Sequence, residues 1–170
     1  MFGITGNVSE RAIIERRTKD PGFSGKGEAG PKAIIVVHLY GMPANMEAIM
    51  AIADKYGIPV IEDAAEAFGS RYNGKPAGTS GKMAIPSFNC NKIITTSGGG
   101  ALISNDNAVT EKARFLATQA RGQAPHYQHS EVGYNYRMSN ILAGIGQGQM
   151  EIIGEGIRQR RQINQWYRDL

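Results

Sequence analysis

Residues 33–61 have the sequence AIIVVHLYGMPANMEAIMAIADKYGIPVI, in which a helical pattern lies between two apolar runs. It opens with the β-branched run AIIVV (33–37) and closes with a second apolar run, IPVI (58–61), and both have the length of a buried strand. Between the two runs, apolar side chains recur at the spacing of a helix with one buried face, at Met46, Ile49, Met50 and Ala53. The pattern therefore predicts a helix over residues 44–56 that ends at Gly57, within a parallel βαβ unit.

Three shorter patterns follow this unit. Asn73 and Gly74 form a dipeptide that is typical of a two-residue hairpin turn. The run MAIPSF (83–88) predicts a third strand, which Pro86 weakens or places at a sheet edge. The run ALIS (101–104) predicts a fourth strand, because it is short, apolar and preceded by glycines.

The C-terminal half reads as helical apart from one long loop. Asn105 or Asp106 is expected to cap a helix with an inward face made of Val109, Ala113, Leu116 and Ala117. Residues 121–138 are predicted to be irregular, and the chain from Ser139 onwards to be helical. That last segment contains glycines that each cost about 1 kcal/mol relative to alanine within a helix, at positions 144, 146 and 148.

The composition argues against a membrane-spanning, a disulfide-linked and a nucleic-acid-binding protein. The 170 residues are 41% hydrophobic and 20% charged, and no apolar run reaches the length of a membrane-spanning helix. The single cysteine, Cys90, excludes a disulfide within the chain, and no signal-peptide pattern is visible, so we expect a cytoplasmic protein. The net charge of +4 is mild, and the arginines near the C-terminus fit a solvated helix face better than a nucleic-acid surface.

Chemically useful side chains follow the predicted strands. Asp63 comes soon after the second strand, Ser87 and Lys92 stand around the end of the third, and glycines 98–100 precede the fourth. In an open α/β sheet, ligands bind beyond the carboxyl ends of the strands. A carboxylate, an amine and hydroxyls suit the pyridine nitrogen, the aldehyde and the phosphate of pyridoxal phosphate. Taken singly, each residue is more often part of a turn or helix cap, so the pattern alone leaves the cofactor open.

Four stretches resemble the DegT/DnrJ/EryC1/StrS family of sugar aminotransferases: HLYGMPANM (38–46), IEDAAEAFGSRYNGKPAGTSG (61–81), SFNCNKIITTSGGGALIS (87–104) and HYQHSEVGYNYRMSN (126–140). The resemblance implies the α/β fold of the pyridoxal phosphate-dependent transferases of fold type I, in which helices flank a mixed, mostly parallel sheet. It also implies an enzyme that transfers an amino group, typically from glutamate, to a keto group of a nucleotide-linked sugar. Such enzymes work as homodimers with shared active sites.

The resemblance assigns a role to each of five residues. Lys92 matches the lysine that binds the cofactor covalently, and Asp63 matches the partner of its pyridine nitrogen. Glu66 stands where the family places a side chain near the phenolic oxygen of the ring, and Ser87 matches a serine that contacts the phosphate. Asn135 matches an asparagine that reaches the phosphate of the neighbouring subunit's cofactor.

Parts of the family pattern are missing or altered. Residues 1–32, where Ser9 predicts the start of a short helix, lack the phosphate-binding turn and the stacking ring, so we expect a poor match there. Cys90 takes a position that is commonly glycine, where a side chain would strain a turn with positive φ. We therefore expect part of a longer enzyme, with a cofactor-binding core at 33–138, a helix at 139–170 leading to a missing small domain, and little turnover alone. The alternative is a non-catalytic relative that senses a ligand or forms a dimer.

Overall fold

The computed structural model of the chain describes residues 10–15 and 31–170. The chain forms two compact units, one that ends at Ile85 and one from Pro86 to Leu170. Residues 10–15 are helical, as predicted, whereas Ser9 lies outside the described residues. The predicted division of the chain after residues 32 and 138 stays a prediction.

A three-stranded parallel sheet forms the centre of the first unit. Its strands are β1 (Ile34–Val37), β2 (Val60–Asp63) and β5 (Met83–Ile85), with β2 in the middle. The register places the last residues of the three strands, Val37, Asp63 and Ile85, side by side. Pro86 follows at once, and because it lacks an N–H, the third strand ends earlier than predicted. This arrangement confirms the predicted α/β class and its parallel strands.

The connection between β1 and β2 is the helix α1 (Met46–Tyr56), which confirms the predicted βαβ unit. The side chain of Asn45 caps its first turn by accepting a hydrogen bond from the N–H of Ala48 at 3.2 Å. At the other end Gly57 adopts the left-handed conformation, with φ 64°, which glycine reaches without steric penalty. The helix therefore ends where the sequence predicts.

The strand β2 begins and ends two residues later than its apolar run suggests. The N–H of Ile58 donates to the carbonyl of Ala53 at 2.9 Å, so Ile58 still belongs to the end of α1. As a result Asp63 is the last residue of β2 instead of lying beyond it.

One face of the sheet packs against α1. The core there consists of Val36, Ala44, Met46, Ile49, Ala53 and Val60. Each large side chain buried in this way contributes about 1.5–3 kcal/mol. The opposite face of β1 is open, since Ile35 and Val37 are 65% and 49% exposed. The strand is thus buried on one face, although its continuous apolar run is typical of burial on both.

A small hairpin follows β2. Its strands are β3 (Arg71–Tyr72) and β4 (Lys75–Pro76), which pair antiparallel. Asn73 and Gly74 have φ values of 48° and 80°, and two consecutive positive φ angles define the type I′ turn that suits a two-residue hairpin. The predicted turn is confirmed.

Helices dominate the second unit. They are α2 (Asn107–Ala117), α3 (Asn140–Glu151) and α4 (Ile153–Asp169). Asp106 caps α2 by accepting a hydrogen bond from the N–H of Ala108. The predicted inward face of α2 is half-buried, and residues 121–138 contain no helix and only isolated bridges, as predicted. None of the helices within the described residues has the length and apolar character needed to cross a membrane.

The prediction of a fourth strand at residues 101–104 is wrong. Among the described residues this run contributes only a single-residue bridge, at Ile103. A strand needs a hydrogen-bonded neighbour along its length, and Leu102 and Ile103 are instead at least one-third exposed. An apolar run alone therefore did not identify a strand here.

A buried carboxylate at β2 holds the loop that leads into β5. Glu62 is fully buried, and its side chain accepts hydrogen bonds from the backbone N–H groups of Gly78, Ser80 and Gly81 at 2.9, 2.7 and 2.6 Å. The ring of His38, also fully buried, lies 2.9 Å from the same carboxylate. We call these five residues the Glu62 cluster.

The hydrogen bonds of His38 define its protonation. Its Nδ1 accepts a hydrogen bond from the N–H of Ala44 at 3.2 Å, so the proton of the ring lies on Nε2, which donates to Glu62. The imidazole is then neutral, and the four donors around Glu62 stabilise one buried negative charge. Burial alone raises the pKa of Glu62, but the hydrogen bonds from His38, Gly81, Gly78 and Ser80 outweigh it and leave that pKa below its ordinary value.

We predict that Glu62→Gln destabilises the chain by about 3 kcal/mol. The amide offers one acceptor oxygen where the carboxylate has two, and its NH₂ group would face backbone N–H groups that also donate. Urea unfolding measures the change. Glu47→Gln is the matched control, because Glu47 is exposed in the first turn of α1 and its loss should change stability by less than about 1 kcal/mol. Equal effects of the two substitutions would contradict the role of the cluster.

The lowered pKa of Glu62 predicts a specific dependence on pH. A carboxyl group whose pKa is lower in the folded state than in the unfolded chain stabilises the folded state at every pH above its ordinary pKa of 4.5. This contribution is lost as the pH falls through the folded-state pKa. The difference in unfolding free energy between the unsubstituted chain and Glu62→Gln should therefore be constant near pH 7 and shrink below pH 4.5. Urea unfolding at a series of pH values measures it, and a difference that does not change with pH would refute the prediction.

Candidate active site

The first unit contributes Asp63 at the carboxyl end of β2. Its side chain is half-buried, and Oδ1 accepts a hydrogen bond from the N–H of Ala65 at 3.1 Å. Its backbone carbonyl accepts another from the N–H of His38 at 3.0 Å. Asp63 thus caps the turn after the strand with one oxygen, and of the described residues only Ala65 donates to its carboxylate.

Glu66 lies on the same turn and is tied to the segment after β1. Its Oε2 accepts a hydrogen bond from the N–H of Tyr40 at 2.7 Å. Tyr40 and Gly41 both have positive φ angles, 54° and 77°, and a Cβ on Gly41 would lie 3.1 Å from the carbonyl oxygen of Glu66. The carboxyl ends of parallel strands meet at one edge of a sheet. The first unit therefore brings Asp63 and Glu66 together at that edge.

The second unit holds Lys92 on a closed loop, residues 88–99, which we call the Lys92 loop. At its neck the N–H of Phe88 donates to the carbonyl of Gly99 at 3.0 Å, and the N–H of Thr96 donates to the carbonyl of Phe88 at 2.9 Å. Within it the N–H of Lys92 donates to the carbonyl of Asn89 at 3.0 Å, and the lysine is half-buried. Backbone hydrogen bonds therefore fix the loop that carries the amine.

Ser87 stands directly before the neck of the Lys92 loop. It pairs with Gly100 in an isolated antiparallel bridge, and its hydroxyl oxygen accepts a hydrogen bond from the N–H of Asn89 at 3.3 Å. A Cβ on Gly100 would lie 2.6 Å from the carbonyl oxygen of Pro86, so the close approach of the two segments requires glycine. Ser87 and Lys92 thus belong to one hydrogen-bonded segment of the second unit.

The expected strain at Cys90 is absent. The described residues other than glycine with positive φ are Tyr40, Asn73, Ser97, Gln119 and Ala120. Cys90 is exposed, and its backbone adopts a conformation that a side chain tolerates. Cysteine in place of the family's usual glycine is therefore compatible with the loop.

Asn135 lies in the irregular segment after α2. It forms an isolated bridge with Thr118, and its side chain is exposed. The chain turns back through Gln119 and Ala120, which have φ values of 65° and 49°. A Cβ on Gly133 would lie 2.3 Å from the backbone nitrogen of Ala120. This tight turn holds Asn135 at the surface of the second unit.

The five predicted site residues therefore occupy defined places, two in the first unit and three in the second, and their roles stay predictions. The sequence prediction missed His38 and Glu62. A signal existed for Glu62, since it alternates with Val60 and Ala64, both of which are buried. An acidic residue on the inward face of a strand indicates a partner.

The chain is similar in sequence to known proteins along nearly its whole length. The model of the DegT/DnrJ/EryC1/StrS aminotransferase family matches residues 5–170, so most of the segment expected to match poorly lies inside the matched range. The chain is 60% identical over 165 residues to EpsN of Bacillus subtilis, a candidate pyridoxal phosphate-dependent aminotransferase, covering 97% of this chain and 42% of EpsN. It is 46% identical over 139 residues to the GDP-perosamine synthase of Escherichia coli O157:H7, covering 81% and 38%.

A solved structure shares the fold. The DegT DnrJ EryC1 StrS aminotransferase of Brucella abortus superposes with a TM-score of 0.78 at 29% identity, over 92% of this chain and 41% of that one. The chain thus spans about two-fifths of the length of the relatives it matches. By sequence along nearly its whole length and by fold, the chain belongs to the DegT/DnrJ/EryC1/StrS aminotransferase family.

Proposed function

We propose that this chain supplies the cofactor-binding lysine of a pyridoxal phosphate-dependent aminotransferase. The reaction would transfer an amino group, with glutamate as the donor, to a keto group of a nucleotide-linked sugar. Family membership supports the reaction class, and the GDP-perosamine synthase among the relatives supports the class of acceptor. The observation that carries the proposal is the Lys92 loop, in which backbone hydrogen bonds hold one lysine on a segment that directly follows Ser87.

The side chains present fit this cofactor chemically. The amine of Lys92 can bond covalently to the aldehyde carbon, and the hydroxyl of Ser87 can donate to a phosphate oxygen while it accepts from Asn89. When bound, pyridoxal phosphate supplies an electron-withdrawing ring that stabilises negative charge at the α-carbon of the substrate. Lys92 Nζ, once the amino group of the substrate has taken its place, would take the proton from that carbon and deliver it to the cofactor.

The two carboxylates would act on the ring. Asp63 would hold the proton on the pyridine nitrogen, since a carboxylate favours a neighbouring positive charge. Glu66 would lie near the phenolic oxygen, held by its hydrogen bond from Tyr40. In a homodimer, Asn135 would reach the phosphate of the partner's cofactor, and its exposed position supports that role.

Because the chain spans 42% of EpsN, sugar transamination is proposed for the whole protein, whereas attachment of the cofactor can be measured on the 170 residues themselves.

We also propose a cytoplasmic location, which the single cysteine supports, since it excludes a disulfide within the chain.

We predict that borohydride reduction in the presence of pyridoxal phosphate labels the chain at Lys92. Mass spectrometry of the digested protein locates the label, and a visible absorption band precedes the reduction. Lys92→Ala should lose both the band and the labelled peptide. Lys75→Ala is the matched control, because Lys75 is exposed on β4, and it should keep both.

Two outcomes would overturn the proposed function. One is an unsubstituted chain with no label at Lys92, and the other is a band that Lys92→Ala leaves unchanged. Either result would favour the non-catalytic alternative, in which the fold serves ligand sensing or dimerisation.

We predict that Asp63→Asn weakens the binding of pyridoxal phosphate by at least about tenfold, because it removes the charge that faces the protonated nitrogen. The amide oxygen can still accept from Ala65, so the turn should persist. Titration followed by absorbance gives the dissociation constant. Asp54→Asn, on the exposed side of α1, should leave that constant unchanged, and equal constants for all three proteins would contradict the role of Asp63.

A further inference from the structure

We propose that Gln149 is a positioning residue for Lys92, acting by holding the backbone of the Lys92 loop at Thr95. The inference rests on the proposed function, because it concerns the lysine assigned there. Gln149 lies on α3, 54 residues along the chain from Thr95 and within the same compact unit. Its side chain is half-buried.

The amide of Gln149 forms two hydrogen bonds with one residue. Its Oε1 accepts from the N–H of Thr95 at 2.9 Å, and its Nε2 donates to the carbonyl of Thr95 at 2.5 Å. A side-chain amide has one acceptor and one donor group side by side, which is the same pair that a neighbouring strand would offer. Gln149 therefore takes the place of a strand neighbour for this residue.

The adjacent turn of α3 packs on the next residue of the loop. Gly146 lies three positions before Gln149 and so shares its helix face. A Cβ on Gly146 would lie 3.0 Å from Cγ2 of Thr96, and Thr96 is almost fully buried. This close packing gives a reason for one of the three helix glycines, whereas Gly144 and Gly148 have no atom near a built Cβ and the structure explains neither.

The two hydrogen bonds of Gln149 bind the loop between Lys92 and its neck. The neck is already closed by the hydrogen bonds between Phe88 and Gly99 and between Thr96 and Phe88. Thr95 lies three residues after Lys92, and its N–H is bonded to Gln149 alone among the described residues. Loss of the amide would leave the backbone N–H and carbonyl of Thr95 without this partner, while its hydroxyl still donates to the carbonyl of Phe88 at 3.3 Å and the neck stays closed.

Hydrogen exchange tests the contact without any cofactor. In Gln149→Met, which keeps the length of the side chain but removes both hydrogen bonds, the Thr95 amide should exchange about tenfold faster or more than in the unsubstituted chain. Gln147→Met is the matched control. It lies two positions away on the exposed side of α3, so Thr95 exchange should not change. Unchanged exchange in Gln149→Met would overturn the inference.

A second variant separates the hydrogen-bond pattern from simple packing. The carboxylate introduced by Gln149→Glu accepts from the Thr95 N–H but opposes its carbonyl, whereas the protonated carboxyl offers one donor and one acceptor, as the amide does. The exchange rate of the Thr95 amide in Gln149→Glu, divided by the rate in the unsubstituted chain at the same pH, should therefore be high near pH 7. This ratio should fall towards one at lower pH, as the introduced carboxyl group is protonated. A ratio that stays constant with pH would overturn the inference.

Labelling by pyridoxal phosphate and borohydride connects the contact to Lys92. The share of label found at Lys92, among all lysines of the chain, should fall at least about fivefold in Gln149→Met and remain unchanged in Gln147→Met. Label retained at Lys92 in Gln149→Met, even with a lower melting temperature, would show a merely structural role and overturn the inference alone. Absence of label in the unsubstituted chain would instead overturn the proposed function, and the positioning role with it.

Discussion

The first unit depends on one buried negative charge. The Glu62 carboxylate lies in the middle strand of the sheet, and its four hydrogen-bond donors come from the segment after β1 and from the loop before β5. A buried carboxylate without these donors would destabilise the fold by several kcal/mol. The same bonds therefore tie the segment after β1 and the loop before β5 to the middle strand, directly beside Asp63.

In the second unit, uncharged hydrogen-bonding groups hold the Lys92 loop in place. Backbone hydrogen bonds close the neck of the Lys92 loop, and the side-chain amide of Gln149 binds its backbone at Thr95. Gly100, directly after the loop, allows close approach to Pro86. Neutral donors and acceptors leave the amine as the principal charge of the loop. In the role proposed for Lys92, an amine that forms and breaks a covalent bond would benefit from a rigid support that adds no competing charge.

The sequence predicted what depends on local pattern and missed what depends on distant pairing. The βαβ unit, the end of its helix at Gly57 and the hairpin at residues 73–74 follow from spacing and turn chemistry. The pair of His38 and Glu62 is separated by 24 residues, and that of Gln149 and Thr95 by 54, so no local rule reveals either. The prediction of a strand at residues 101–104 was wrong for the same reason, because a strand requires a neighbouring strand that its own sequence does not specify.

The two consecutive acidic residues of β2, Glu62 and Asp63, lie on opposite faces of the strand. Glu62 faces the interior and accepts four hydrogen bonds, whereas Asp63, the next residue along the strand, lies on the opposite face, is half-buried and accepts one hydrogen bond from Ala65. Deleting or inserting a single residue between Pro59 and Glu62 would exchange these orientations. The shorter side chain would then face donors placed for a longer one, and the longer one would occupy the rim. The evolutionary freedom of this strand is therefore restricted in length as well as in composition.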